Sequence, residues 1–410
     1  MRKPTLFGYG ITTKAIAHSL GGGCTFFDDN VQEAYCDSSH NQILPSHLFD
    51  PDESMLEVTT PSLKPTHPLI VAAQNLMSEY DYIFSQLSKK PLNIWISGTN
   101  GKTTTTQMLT HLLEKRGAIS GGNIGTPLAA LDREAPIWVL ESSSYALHHT
   151  RSASPNIYIL LPITPDHLDW HGDEAQYEAD KLRPLLTMRE GELALIPKGL
   201  NVPKTDAFVV EYDSIEFLAE YFNIDPDKIN FNAAFLEDAM LALSVTRVLF
   251  DEVDYKAINN FVLDAHRQQE QKDRSGRLWV NDSKATNIDA TIQAIKAYGD
   301  RPLHLILGGD DKGVDLTALF ALFSSIDGKY NISIYTIGAN NDKLLDMAHI
   351  YAARVTSCRT LQKAVKAIDK NLKIDEVALL SPAAASLDQF SSYKERGEIF
   401  LELCSNLSLN

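Results

Sequence analysis

Cysteine is scarce in this chain, and so is positive charge. Four cysteines among 410 residues, at 24, 36, 358 and 404, fall into no metal-ligand spacing. That excludes a zinc finger or ribbon and a disulfide-dense secreted scaffold. Such a count suits reduced thiols in a cytoplasm and leaves a single disulfide open. Lysine and arginine total 37 against 53 aspartates and glutamates, for a net charge of −16. Surfaces that grip nucleic acid or anionic membrane depend on positive charge, so neither partner is expected. A small anionic ligand stays open, because it needs only local cations. No run approaches the roughly 18 apolar residues of a membrane span. The N-terminal apolar stretch is broken by FGYG with no small-residue cleavage site after it, so a buried strand and turn is expected there.

What the chain does have is length and a repeating rhythm. At 410 residues it exceeds a single core, and it divides into three α/β segments, 1–90, 91–263 and 264–410. In the first, TLF reads as a strand, GYG as a turn, ITTKAIAHSL as a helix and CTFFDD as a strand, with LEVTT and LIVAA as two more. Gly8 and Gly10 open the helix and Asp28 lies 20 residues beyond Gly8, as in a dinucleotide-binding turn, but the third fingerprint position is Thr13. NAD, another nucleotide or sugar nucleotide, and a purely structural turn all fit. The middle segment reads as strands NIWIS, PIWVLE, IYILLPI, LALIP and AFVV, with an apolar helix near NAAFLEDAMLALSVTRVLF. RLWVND, PLHLILGG, ISIYTIG and EVALLSP alternate with helices in the last. The pattern predicts a small Rossmann-like N-terminal domain, a central P-loop mononucleotide-binding domain with a parallel sheet, and a C-terminal Rossmann-like domain.

One further absence concerns a glycine. ISGTNGKTTTT, residues 96–106, follows an apolar strand and opens a helix, yet Ile96 stands where a phosphate loop of the form GxxxxGK[ST] begins. Gly98 and Gly101 still allow backbone N–H groups to bend around an anion; Lys102 adds a charge and Thr103 a hydroxyl for Mg²⁺. Glu141 ends the apolar run of PIWVLE, where a buried acid wants a partner or a metal. Asp166, His167, Asp169 and His171 follow the next strand as a metal or acid–base cluster. NDSKATN and GGDDKG each place an acid and a lysine after a strand, and SPAAASLDQF offers Ser381 and Ser386 as anion or carboxylate ligands. Residue by residue the reading ends at an ATP-dependent enzyme, whether kinase, ligase or motor. A noncatalytic ATP-binding protein would lack Lys102, Glu141 or His167, and all three are present.

In order along the chain, GTNGKT (98–103), GGNIGTP (121–127), ESSSYAL (141–147), DHLDWH (166–171), HR (266–267), NDSKATN (281–287), LGGDDKG (307–313) and SPAAASLDQF (381–390) resemble the Mur ligase family, whose loop also lacks the first glycine. The resemblance implies a cytoplasmic, monomeric ligase of peptidoglycan precursor synthesis. It would add D-glutamate to UDP-N-acetylmuramoyl-L-alanine through an acyl phosphate, releasing ADP and phosphate. A sister Mur ligase or a folylpolyglutamate synthase-like ligase is the alternative. The implied ATP contacts are Gly98, Thr99, Asn100, Gly101, Lys102, Thr103 and Thr104, with Asn232, Arg267 and Asp282. Thr103, Glu141 and His167 would hold Mg²⁺ or Mn²⁺, joined by Lys181 bearing a carbamate; Lys102, Glu141, His167 and Lys181 make the catalytic set. Gly10, Ile11, Thr12, Asp28, Asp29, Thr60, Pro61, Ser62, Asn123, Gly125 and Ser143 would receive the uridine substrate. D-Glutamate would meet Lys284, Lys312, Ser386, Leu387 and Tyr393. The chain departs from the family at Ala146, where glutamine is usual, at Phe235 for asparagine, at Tyr393 for phenylalanine, and in HRQQE for HRxE.

Overall fold

The computed structural model describes residues 3–407 apart from 124, 232, 312 and 324–329. Apart from the short stretch at 232–234, residues up to Phe261 form one compact unit and residues from Val262 a second. The first unit holds two six-stranded sheets and the second holds one. No helix among the described residues is long and apolar enough to cross a membrane. All four cysteines are free.

The first sheet comprises β1 (Thr5–Phe7), β2 (Thr25–Asp28), β3 (Tyr35–Cys36), β4 (Gln42–Pro45), β5 (Glu57–Thr59) and β6 (Leu76–Met77). Its order is β3-β4-β2-β1-β5-β6, parallel except for β3 on β4. The second comprises β7 (Leu92–Ser97), β8 (Ala118–Gly122), β9 (Ile137–Glu141), β10 (Ile157–Leu160), β11 (Leu193–Pro197) and β12 (Phe208–Tyr212). Its order, β12-β11-β10-β7-β9-β8, is parallel throughout. Between β9 and β10 the chain passes from one side of β7 to the other. The crevice of an open α/β sheet lies at such a reversal, beside the loop that leaves β7. Strands covered on both faces read as unbroken apolar runs, and LNIWIS, IWVLE and IYIL are buried almost end to end. Trp95, Trp138 and Tyr158 fill this core, and one apolar cluster joins them to Leu6, Ile16 and Phe26 of the first sheet region.

The third sheet comprises β13 (Gln269–Lys272), β14 (Leu278–Asn281), β15 (Leu303–Gly308), β16 (Ile332–Ile337), β17 (Arg354–Arg359) and β18 (Val377–Leu380). It is ordered β13-β14-β18-β15-β16-β17, with β13 antiparallel. Successive residues of these strands feed opposite faces: Val280, Leu305 and Leu379 join one cluster, Trp279, Ile306 and Leu380 the other.

The strand expected at LIVAA is instead the helix Pro68–Ala72. Pro68 suits a first helical position, where its missing N–H is not needed, and the His67 imidazole caps the turn by accepting from the Leu69 amide at 3.2 Å. The dinucleotide-like turn is closed by its own side chains. Thr13, at the third fingerprint position, donates its hydroxyl to the Gly8 carbonyl at 2.5 Å and accepts from the Gly10 amide at 3.2 Å. Asp28 accepts from the Tyr9 amide at 2.6 Å, so the acid is turned to its own loop. Removing the hydroxyl leaves a buried carbonyl unsatisfied. Thr13→Val is expected to lower the unfolding free energy of this unit by about 1–3 kcal/mol in urea titration, with Thr13→Ser close to the parent.

Candidate active site

The loop after β7 turns through two glycines at positive φ, Gly98 at 143° and Gly101 at 82°. Neither has room for a side chain. A Cβ on Gly98 would lie 2.5 Å from that of Leu161, and one on Gly101 2.6 Å from Oδ1 of Asp238. The helix Lys102–Leu113 starts at once, so its first amides and positive end face the loop. Thr99 fastens the loop from behind, its hydroxyl donating to the Thr164 carbonyl at 2.9 Å and accepting from the Thr164 amide at 2.9 Å. Asn100 is half-buried and Thr104 fully buried. The Lys102 ammonium arches over the loop to the carbonyls of Gly98 at 3.0 Å and Thr99 at 2.7 Å.

Glu141, at the end of β9, is 3% exposed. Its carboxylate accepts from the Thr103 hydroxyl at 2.8 Å and from the Asn123 side-chain amide at 2.6 Å. The structure thus brings together two expected metal ligands, Thr103 and Glu141, and a substrate candidate, Asn123. Lys181 arrives from the helix Glu174–Leu182 and is 1% exposed. Its amine donates to the Gly98 carbonyl at 2.8 Å, on the same oxygen as Lys102. Burial, reinforced by the Lys102 charge, pushes the Lys181 pKa well below the usual lysine value. His167 caps the short helix Leu168–His171 at φ 54°. Burial lowers its pKa; Asp166 opposes the shift, and the Lys102 and Lys181 charges add to it. A neutral imidazole keeps a lone pair for a ligand.

The expected Asp166–His167–Asp169–His171 group does not assemble. Asp166 stays with His167, accepting from the backbone amide at 2.8 Å, whereas exposed Asp169 pairs with Lys64 at 3.6 Å. His171 turns inward to a hub that sequence reading missed, because its two imidazoles lie 9 and 32 residues from the acid they share. Asp180 accepts from Nδ1 of His171 at 2.7 Å, Nδ1 of His148 at 2.8 Å, Gln176 at 2.8 Å and Arg183 at 3.3 Å. Burial opposes ionisation of Asp180, yet the two imidazoles and the Gln176 amide hold its pKa below the carboxylate range. His148, His171 and Asp180 have converging ligand atoms. A tetrahedral ion with ligands about 2.0–2.1 Å away would hold them roughly 3.3 Å apart. Contacts of 2.7–2.8 Å are hydrogen bonds. This hub anchors the helix that presents Lys181.

Two clefts serve the expected uridine-substrate residues. One of about 280 Å³ is lined by Gly10, Asp28, Asp29, Thr60 and Ser62. The other, of about 260 Å³, is lined by Ile11, Thr12, Pro61, Asn123, Gly125 and Ser143. Glu79 and Tyr80 line the second cleft too, and sequence reading missed both. Glu79 is directed at the Leu128 and Ala129 amides, and burial pushes its pKa up to about 7. Tyr80 meets the Ser142 hydroxyl at 2.8 Å.

The second unit carries its own group. Asp282, just after β14, accepts from the Ser381 hydroxyl at 2.8 Å and the Gln268 amide at 3.2 Å, so Ser381 serves a carboxyl group of the chain itself. Arg267 lies between His266 and Gln268, both at positive φ, and its buried Nε has no hydrogen-bond partner among the described residues. The Lys284 ammonium lies 5.8 Å from the Tyr393 ring centroid. Ser386 is buried and Leu387 is 68% exposed. Asn232 and Lys312, expected ligands of ATP and D-glutamate, lie outside the described residues.

Residues 96–206 match the family model described as the Mur ligase middle domain. UDP-N-acetylmuramoylalanine–D-glutamate ligase of Campylobacter jejuni (serotype O:23/36, strain 81-176) is 47% identical over 407 residues, 98% of this chain and 99% of its own. That of Helicobacter pylori J99 is 45% identical over 418 residues, 97% of this chain and 98% of its own. Among solved structures, MurF from Acinetobacter baumannii is similar with a TM-score of 0.58 at 13% identity, over 97% of this chain and 92% of that one. MurF ligase from Thermotoga maritima in complex with ADP gives 0.56 at 15% identity, over 93% and 94%. At such identities the structures speak for the α/β fold alone.

Burial pushes the Asp282 carboxyl up to about 7, against the Ser381 hydroxyl and Gln268 amide that lower it. An unfolded aspartate titrates near ~3.9. Between those values the folded chain keeps a proton that the unfolded chain has lost, so this carboxyl's contribution to stability falls as pH rises from about 4 to about 7 and then levels. Asp282→Asn is expected to remove that decline in thermal unfolding followed across the same window. An unchanged pH slope would contradict the assignment.

Proposed function

The chain belongs to the Mur ligase family, among its UDP-N-acetylmuramoylalanine–D-glutamate ligases, and on that premise we propose that it joins D-glutamate to UDP-N-acetylmuramoyl-L-alanine at the expense of ATP. The single observation that carries the chemistry is the pair of lysines on the Gly98 carbonyl beside a buried, hydrogen-bonded Glu141. A carboxylate does not condense with an amine at neutral pH, because its oxygen is a poor leaving group. The L-alanine carboxylate attacks the γ-phosphorus of ATP, the bond to the β-phosphate oxygen breaks, and ADP leaves an acyl phosphate. The D-glutamate amine then attacks the carbonyl, loses a proton, and expels phosphate from a tetrahedral intermediate.

The loop amides and Lys102 bind and orient the β and γ phosphates, offsetting charge on the transferred group. Thr103, Glu141 and His167 would hold Mg²⁺; their hydroxyl, carboxylate and neutral imidazole fit such an ion. When bound, the ion neutralises charge on the phosphates. An ammonium at Lys181 would repel it, whereas a deprotonated amine can add CO₂ and release a proton to become a carbamate. The lowered proton affinity of Lys181 supports that form. Residues 1–90 act as the UDP-substrate domain, 91–263 as the ATP domain and 264–410 as the amino-acid and ATP domain. Arg267 and Asp282 contact ATP, and Lys284, Ser386, Leu387 and Tyr393 take glutamate. The enzyme works as a monomer in the cytoplasm, where ATP and a UDP-linked sugar meet.

Phosphate release is expected with UDP-N-acetylmuramoyl-L-alanine and D-glutamate, and not with L-glutamate, L-lysine or diaminopimelate. Oxygen-18 placed in the alanine carboxylate should appear in the released phosphate; its absence would refute the acyl phosphate. Lys181→Ala should lose most of its activity. Carbon-13 bicarbonate should label the parent protein and leave the variant unlabelled by NMR. A fully active variant, or an unlabelled parent, would remove the carbamate.

A further inference from the structure

The second unit contains a buried charge that makes no ion pair among the described residues. Arg396, in the first turns of the helix Tyr393–Ser405, is 1% exposed. Its guanidinium meets three neutral acceptors. Nε donates to the Ser283 hydroxyl at 2.9 Å, and the terminal nitrogens donate to the carbonyls of Ser283 at 2.8 Å and Ala384 at 3.1 Å. It makes no ion pair among the described residues, and Asp388 acts on it only through its field. Burial pulls its pKa down to about 10, which still leaves the group charged at neutral pH. A buried cation held only by dipoles is costly, so a surface placement would serve stability better.

Each acceptor sits in a segment that carries an amino-acid candidate. Ser283 stands between Asp282 and Lys284, and its hydroxyl donates onward to the Tyr393 carbonyl at 2.8 Å. Ala384 follows Ala383, held at φ 55°, and precedes Ser386 by two residues. The next residue on the helix, Gly397, is close-packed, since a Cβ there would run into the His266 imidazole. The fork of Arg396 therefore ties NDSKATN, SPAAAS and the helix start at one point.

We propose that Arg396 is a positioning residue for the incoming amino acid: it fixes the three segments bearing Lys284, Ser386 and Tyr393, and its unneutralised charge favours a dicarboxylate. This inference rests on the glutamate-ligation reading above. Lysine at 396 keeps the charge and loses the fork; methionine loses both.

The test is steady-state kinetics of the full-length enzyme, each substrate varied in turn, for Arg396→Lys, Arg396→Met and Ser283→Ala. Both Arg396 variants should raise KM for D-glutamate about tenfold or more while KM for ATP and the UDP substrate stays within about twofold. Ser283→Ala should move the glutamate KM the same way by less. Hydroxylamine in place of D-glutamate attacks the acyl-phosphate carbonyl and releases phosphate, and this hydroxamate yield should be unchanged in the Arg396 variants. An unchanged glutamate KM, or an equal rise in all three constants, overturns the proposal. Should Arg396→Met fail to fold, the other two variants decide it. A parent enzyme that forms no hydroxamate would instead count against the proposed reaction.

Discussion

Two lysines share one carbonyl oxygen, and the rest of the central site is arranged around that fact. Lys102 and Lys181 reach the Gly98 carbonyl at 3.0 and 2.8 Å, one from the start of the helix Lys102–Leu113 and one from the helix Glu174–Leu182. Two ammonium ions at such a separation repel strongly where water is excluded. The conflict is settled unequally. Lys181 is sealed from solvent, and burial together with the Lys102 charge lowers its proton affinity well below that of an ordinary lysine; Lys102 is only half-buried. Buried Glu141 stands close by, and its hydrogen bonds to Thr103 and Asn123 hold the carboxylate in one orientation. The residues proposed to hold metal and phosphate thus lie together at the carboxyl ends of β7 and β9.

Much of this was readable beforehand, for a definite reason. In a parallel sheet covered on both faces the strands appear as apolar runs, and whatever polar residue ends a run lies at the ligand edge. Glu141 after IWVL and the glycines after NIWIS were legible on that rule. Where the rule has no purchase, reading failed. β8 is AISGG and β17 is RVTSCR, neither of them apolar enough to mark a strand. LIVAA is apolar enough but begins behind a proline that favours a helix start. The Asp180 hub escaped because His148, separated from Asp180 by β10 and the helix Leu168–His171, meets it only after folding. Arg396 escaped because a lone arginine on a helix ordinarily signals solvent, and nothing in YKERGE marks it as buried.

The first sheet shows how far a spacing motif can mislead. Gly8, Gly10 and Asp28 carry the separations of a dinucleotide turn, but Thr13 plugs the turn and Asp28 binds the Tyr9 amide. The acid that would read a ribose in the dinucleotide pattern is spent on holding the loop. The cleft beside it is bordered by Asp29, Thr60 and Ser62, residues that reading carried over from the family rather than from the motif. Spacing pointed to this surface without deciding among the ligands it left open.

A chain of net charge −16 that binds phosphates and dicarboxylates has to concentrate its cations, and its two units do so differently. The first relies on backbone: a helix end, turned amides and one half-buried ammonium, beside a second amine of lowered proton affinity. In the second, Arg396 is buried with only neutral acceptors, and the acid near Arg267 has its proton affinity raised by burial. An Asp282 ionised at all times would cancel Arg267 locally; an acid that is partly protonated near neutrality leaves more of that arginine's field for a ligand. Surface acids farther away act only weakly on these points, because salt screens their fields within about 8–10 Å. Overall charge therefore says little about the ligand. What decides it is where the fold places its few cations and how deeply it buries them.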